Sequence, residues 1–399
     1  MRFYLKLTPF ICVLFLSVQV LFFASRYTRT TLRLFSNDFQ RSINDIWNDR
    51  VQNLRQECAL PNRTYGIKDY QTKSYFIHVP KHNFTLCKVA KSGSTLWSIL
   101  VLALENGQEM DGGFNRRRSL IHGEIHKKLI ILDSHPDTPF STRNILVSRD
   151  PYTRLYSAFV DRCFLLRTPN DVPGFVEAVR RGDYMTKVGK CGYIIHFHDF
   201  VDKVTTDGLK GGHIDPHYCP VYKMCRVCDV NYDVVMKQET LNRDTKHILH
   251  QFNISNEMRT TLLDTIRGSS TEKMIEGLID ELMFDNGKMN WMKKHCKSSV
   301  AFAVRIWGAF KLQGYIRPYR KFPYSKFEKL KNYDTQSIVN IFLEEITTNP
   351  LSPTERSAQR RQSLLSAYKD MPKRIVANIQ AMYKMDFLTF GYDINPPSQ

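Results

Sequence analysis

The chain has 399 residues, 42% of them hydrophobic and 12% aromatic, and carries a formal charge of +18. The apolar content excludes wholesale disorder and supports a sizeable core, while the length allows one large domain with appendages or two small ones. The charge implies an anionic partner, whether nucleic acid, anionic lipid or acidic polysaccharide, and does not by itself choose among them.

Leu7 to Ser25 carries no charged residue, a run close to the roughly 20 residues that a membrane-spanning helix needs. Arg2 and Lys6 precede it, and Arg26, Arg29 and Arg33 follow, so the positive-inside rule does not decide its orientation. Phe22-Phe23-Ala24-Ser25 is a poor small-x-small cleavage site, which favours an uncleaved signal anchor over a signal peptide. The expected layout is a cytosolic tail (1–6), a transmembrane helix (7–25), a stem (26–70) and a lumenal domain (71–399). Eight cysteines lie beyond the apolar segment, an even count that suits disulfides in a secretory compartment, with connectivity open. Sequons begin at Asn62, Asn83 and Asn253 and agree with that compartment, which makes nucleic acid a poor partner. In the stem, Ile43, Ile46, Trp47, Val51 and Leu54 recur at helical spacing. That stripe either pairs two stems into a homodimer or lies on the main domain.

Strands are expected over Ser74–His78 and Thr85–Ala90, followed by a helix over Thr95–Glu105. The turn between them, Lys91-Ser92-Gly93-Ser94-Thr95, suits phosphate: a helix N-terminus offers free N–H groups, Gly93 admits a close approach, Ser94 and Thr95 donate hydroxyls, and Lys91 adds a point charge. The Gly-x-x-x-x-Gly-Lys-Ser/Thr pattern is absent, which weakens a kinase reading. Short buried strands are expected over Leu129–Leu132 and Ile145–Ser148, then a helix over Tyr152–Phe164. Arg149 falls at a strand's C-terminal end, where ligands gather in open α/β sheets, and Ser157 lies two helical turns on, so both can converge on one phosphate. Strand, turn and helix, twice repeated, argue for a P-loop-like parallel sheet flanked by helices.

Gly189 to Val230, rich in Gly, His and Cys, reads as a loop-built insertion. Its Cys225-Arg226-Val227-Cys228 motif, with His213 and His217 nearby, admits zinc; the compartment favours disulfides, and no metal is expected. Glu257–Phe284 and Lys297–Leu312 read as helical, Thr347–Gln362 as a polar, proline-containing loop, and Leu364–Tyr383 as a helix.

Four motifs in order now resemble a known family. Cys87-Lys88-Val89-Ala90-Lys91-Ser92-Gly93-Ser94-Thr95-Leu96-Trp97 is similar to the first nucleotide loop of the Golgi carbohydrate sulfotransferases of the chondroitin 4-O and HNK-1 type, with Ala90 and Ser94 standing where that family has Pro and Cys. Arg149, Asp150, Pro151, Arg154, Leu155, Ser157, Ala158 and Phe159 match its second loop. His217-Tyr218 through Cys225, Cys228, Tyr232-Asp233, Lys237 and Glu239-Thr240-Leu241 match a third motif, and Tyr383 to Tyr392 its C-terminus.

The resemblance implies a PAPS-dependent sulfotransferase fold and a single-pass type II protein of the Golgi membrane. It implies PAPS (3′-phosphoadenylyl sulfate) as co-substrate, with Lys91 at the bridging oxygen, Ser92, Gly93, Ser94 and Thr95 around the 5′-phosphate, and Arg149 and Ser157 on the 3′-phosphate. His217 is the first candidate for the base, since histidine titrates near neutrality, with His213 and Glu239 as alternatives. The implied acceptor is an anionic or amino-sugar glycan, a glycosaminoglycan such as chondroitin or dermatan. A membrane-anchored, lectin-like binder without chemistry is the competing class; Lys91 and Arg149 argue against it, because binding alone needs neither.

Overall fold

A computed structural model describes residues 42–60, 76–107, 116–128, 130–132, 142–164, 185–187, 193–211, 214–267, 271–284, 299–330 and 334–398. Leu7–Ser25, the Asn62 sequon and His213 lie outside these ranges. Among the described residues no helix is long and apolar enough to cross a membrane. The chain divides into two units, Met1–Asp49 and Arg50–Gln399. Of the first, the described part is helical from Ile43.

In the second unit, five strands form one sheet in the order β3-β1-β2-β4-β7. They are β1 (Phe76–Val79), β2 (Phe84–Cys87), β3 (Ile130–Leu132), β4 (Arg143–Ser148) and β7 (Val234–Lys237); β5 (Met185–Lys187) and β6 (Tyr193–Ile195) make a separate antiparallel pair. The sheet is mixed, not parallel as the sequence reading expects. β2, β4 and β7 run parallel in adjacent pairs, and β1 is antiparallel to both β2 and β3. The physical cause is the short link between β1 and β2, a 3₁₀ turn at Pro80–His82 closed by Asn83 in the left-handed region (φ 53°). A connection that short can only reverse the chain, because parallel neighbours need a long crossover. The other four strands all point one way, so the C-terminal ends of β2, β4 and β7 share one edge.

The helix Ser94–Asn106 is apolar on every side, and Trp97 to Leu104 are all buried, so it is a core helix and not a surface one. Each such Leu or Ile side chain contributes about 1.5–3 kcal/mol by leaving water. Val51 and Leu54, from the second half of the predicted stem stripe, join the core that holds Tyr152, Phe200 and Cys225, and Arg50 Nη1 pairs with buried Asp244 at 2.7 Å. Two disulfides, Cys58–Cys228 and Cys87–Cys225, close separations of 170 and 138 residues. In the chain-entropy account a loop of that size stabilises by about 5 kcal/mol. Cys225 and Cys228 therefore each pair with a distant cysteine, and neither is left as a thiolate for zinc.

Three further expectations are corrected. Residues 189–230 are not loop-built: they include β6, the helix Phe197–Leu209 and the short helix Val221–Met224. Residues 353–362 are not loop but the first part of a helix, Pro353–Tyr368, started by a reciprocal capping box between Ser352 and Glu355 with Pro353 in its first turn. The expected helix 364–383 is broken between Tyr368 and Lys373, where Asp370 takes φ 59° and Pro372 has no N–H to offer.

Candidate functional site

The strand ends bring the predicted residues together. After β2 the chain turns through Lys91 and Gly93, both in the left-handed region (φ 68° and 79°), before the helix starts at Ser94. A non-glycine residue there is unusual and signals a backbone held by its surroundings. What holds Lys91 is Arg149 at the end of β4, whose Nη1 donates to the Lys91 carbonyl at 2.6 Å while its Nε donates to Thr153 Oγ1 at 3.2 Å. Gly93 is required by space as well as by φ: a Cβ there would collide with the Leu241 side chain and lie 3.0 Å from Gln238 Oε1.

No side chain caps the helix at Ser94, so its first N–H groups are open to a ligand. Ser92 is 1% exposed and its Oγ lacks a hydrogen-bond partner. A glycine cradle, an orphaned hydroxyl, an uncapped helix start and Lys91 form a donor set that fits a phosphate or phosphosulfate group.

Lys91 Nζ lies 3.1 Å from Asp161, which also pairs with Arg118 at 3.1 Å. Asp161 sits in a π-turn, Val160–Phe164, that continues the helix Pro151–Phe159 bearing Ser157. Burial pushes the Lys91 amine down to about 8, opposed by Asp161 and reinforced by Arg118 and Arg149. Two overlapping cavities of about 560 and 580 Å³ meet here and share Lys91, Gly93, Thr95, Arg149, Ser157 and Asp161. Ser94 lines the first. One arm runs on to Leu241, Ile266, Ile275, Leu278 and Tyr315, an apolar surface suited to a flat ring. The other reaches Lys88, His122, His126 and His217.

His217 is held by Asp215, whose Oδ1 accepts from the His217 backbone N–H at 2.8 Å and meets Nδ1 at 2.6 Å. Asp215 also pairs with Arg162 at 3.1 Å. Burial opposes charge on Asp215, but His217 and Arg162 outweigh it and hold the carboxyl at about 2. An ionised Asp215 fixes the proton on Nδ1 and leaves Nε2 as the basic nitrogen. Burial lowers His217 from the ordinary histidine value despite the pull of Asp215, so the ring is neutral at pH 7. Glu239, the alternative base, is engaged elsewhere: it accepts from the Asp150 N–H and the Tyr392 hydroxyl, both at 3.1 Å.

Sequence reasoning missed the residue that joins the two halves. Arg154 is 1% exposed, and its guanidinium donates to the carbonyls of Ala90, Cys219 and Pro216 at 3.0, 2.6 and 3.0 Å. It therefore ties the Lys91 turn to the segment carrying His217. The C-terminal motif serves the same segment: Asp386 accepts from the N–H groups of Val221 and Tyr222 at 2.8 and 2.7 Å, and the Tyr383 hydroxyl donates to the Tyr218 carbonyl. An arginine three residues beyond a proline at a helix start was visible, but its carbonyl partners lie more than 60 residues away along the chain.

Comparison with known proteins finds similarity to carbohydrate sulfotransferases. Carbohydrate sulfotransferase 10 of Danio rerio is 30% identical over 236 residues, covering 52% of this chain and 60% of that protein. The human protein of the same name is 25% identical over 236 residues, at 52% and 62% coverage, and human carbohydrate sulfotransferase 9 is 28% identical over 200 residues, at 48% and 43%. The chain thus spans about 60% of the length of the first of these relatives. No solved structure matches significantly. The sulfotransferase family matches residues 74–307, a stretch that holds β1 to β7, both nucleotide-type loops and the Asp215–His217 pair, and the chain belongs to that family.

Proposed function

We propose that this protein is a carbohydrate O-sulfotransferase that transfers the sulfuryl group of PAPS to a glycan hydroxyl. The convergence of Lys91, Arg149, Ser157 and the Asp215–His217 pair on one cavity carries the reading. The 5′-phosphosulfate lies against Ser92 to Thr95 at the helix start, the 3′-phosphate against Arg149 and Ser157, and the adenine in the apolar arm. In the reaction His217 Nε2 takes the acceptor proton, the acceptor oxygen forms a bond to sulfur, and the bond from sulfur to the bridging oxygen breaks. PAP leaves with the electron pair, its new charge met by Lys91. Asp215 stabilises the imidazolium that forms. Among acceptors we propose chondroitin or dermatan N-acetylgalactosamine at its 4-hydroxyl, since a chain of charge +18 suits a polyanion. The proposed setting is the Golgi membrane, with residues 7–25 as a type II anchor; two disulfides suit a lumenal domain.

The test is transfer of label from radioactive PAPS to a panel of desulfated glycans by the full chain in detergent, with Lys91→Ala and Arg149→Ala alongside. Label on one glycan, lost in both variants, is the expected result; a folded chain that binds no PAP would sink the reading.

A further inference from the structure

Lys88 takes no part in the donor site, yet it lines the same cavity on the His217 side, as do His122 and His126. It follows directly on β2, whose last residue is the disulfide-bonded Cys87, so its backbone is anchored. Burial pushes its amine down to about 8, with no acid in play, so the side chain is largely charged at pH 7. Among the described residues no carboxylate lies within salt-bridge distance of Lys88 Nζ. Every other lysine or arginine on this cavity wall has a polar partner: Lys91 and Arg118 hold Asp161, and Arg149 holds the Lys91 carbonyl. A largely buried, unpaired ammonium is unfavourable unless an anion completes it.

Next to it stands His122, on the helix Arg118–Lys128. Among the described residues its side chain meets Ser98 Oγ at 3.4 Å. Burial, with Lys88, Arg118, His217 and His126 adding to it, lowers His122 to about 3, so its ring is neutral at pH 7 and can donate a hydrogen bond without adding charge. Lys88, His122 and His217 line one cavity. An acceptor hydroxyl at His217 therefore brings the substituents of its own sugar, or of the next one, to Lys88.

We propose that Lys88 and His122 form an anion subsite for the acceptor glycan, Lys88 pairing with a carboxylate or sulfate ester close to the reacting hydroxyl and His122 donating to it. The subsite deepens the proposed sulfuryl transfer and rests on it. It is separate from the donor-phosphate contacts, so its loss leaves PAP binding untouched.

The experiment measures binding of chondroitin hexasaccharides to the PAP complex of the full chain by calorimetry, together with steady-state transfer. Three probes are used: native uronate, carboxyl-reduced, and carboxyl-reduced carrying a sulfate ester. Lys88→Gln is expected to weaken the probe bearing the recognised anion at least 10-fold, with an equal rise in KM, leaving kcat and PAP affinity unchanged. Lys88→Arg should restore most of the binding, and His122→Gln should lose less. Preference for the native probe identifies a carboxylate, and preference for the sulfated probe a sulfate ester. An equal loss on all three probes, or a parallel loss of PAP affinity, would overturn the subsite while leaving sulfuryl transfer standing. A chain that binds no PAP would overturn both.

Discussion

The two halves of the cavity are built in different ways. The donor half is local: a strand end, a turn and a helix start supply Ser92 to Thr95 within four consecutive positions, and a second strand end supplies Arg149. The base half is assembled from afar. Residues 215–222, which carry His217, are held by Arg154 from one helix, by Tyr383 and Asp386 from the C-terminal end, and through Cys225 and Cys228 by two disulfides. Loss of a charged side chain in the donor half should therefore remove chemistry and spare stability, while loss of a clamp around the base half should strike stability.

The sharpest break is Lys91→Ala. Removing the charge at the departing oxygen should lower kcat by about 10³-fold, while the thermal midpoint moves little, because the lost Asp161 contact is shared with Arg118. Steady-state rates and calorimetric melting on the same sample test both halves of that statement. Arg154→Ala should do the reverse and strike stability first. Three inward carbonyls lose their donor, which costs on the order of 4 kcal/mol. Melting should fall by about 5 °C, and a variant that kept its midpoint would refute the tie between the halves.

His217→Gln should cost about 10²-fold in kcat/KM, and the pH profile sharpens the assignment. A base must be neutral to act, so activity rises with pH through a value below the ordinary histidine 6.5, where His217 loses its proton. Lys91 must stay protonated, so activity falls as pH climbs through about 8. The variant should lose the acid limb and keep the alkaline one; an unchanged acid limb would assign the base elsewhere.

Gly93→Ala should cost about 1–2 kcal/mol through its left-handed backbone, with the Leu241 contact adding to it, and should weaken PAP in a fluorescence titration. The smallest effect is expected at Asp386. Burial raises its carboxyl to about 6, above the unfolded value near 4, so the native state is favoured by protonation there, and the stability it contributes is lost as pH rises from 4 through 6. Asp386→Asn keeps one acceptor oxygen but turns its amide donors on the other N–H, so it should cost about 1 kcal/mol at pH 7, while Asp386→Ala, which orphans both N–H groups, should cost more. Urea melts at pH 5 and pH 7 separate the two.

The same contrast explains what the sequence made legible. Strand, turn and helix around Lys91 and Arg149 are short-range patterns and can be read directly. The reversal of β1 turns on the left-handed closure at Asn83, a backbone feature that strand and helix periodicity does not show. The proline and polar content around Pro353 suggest a loop, but Ser352, Pro353 and Glu355 together spell a helix start. Arg154, Tyr383 and Asp386 act on backbone groups far away along the chain, and no local pattern announces such contacts.

The clamp at the C-terminal end also sets an order of events during synthesis. A nascent chain that has emerged as far as Arg149 already holds both phosphate-binding turns. The segment bearing His217 gains its clamp only when Tyr383 and Asp386 arrive, more than 160 residues later. The His217 side of the cavity is thus the last to be fixed, because its clamp waits on Tyr383 and Asp386.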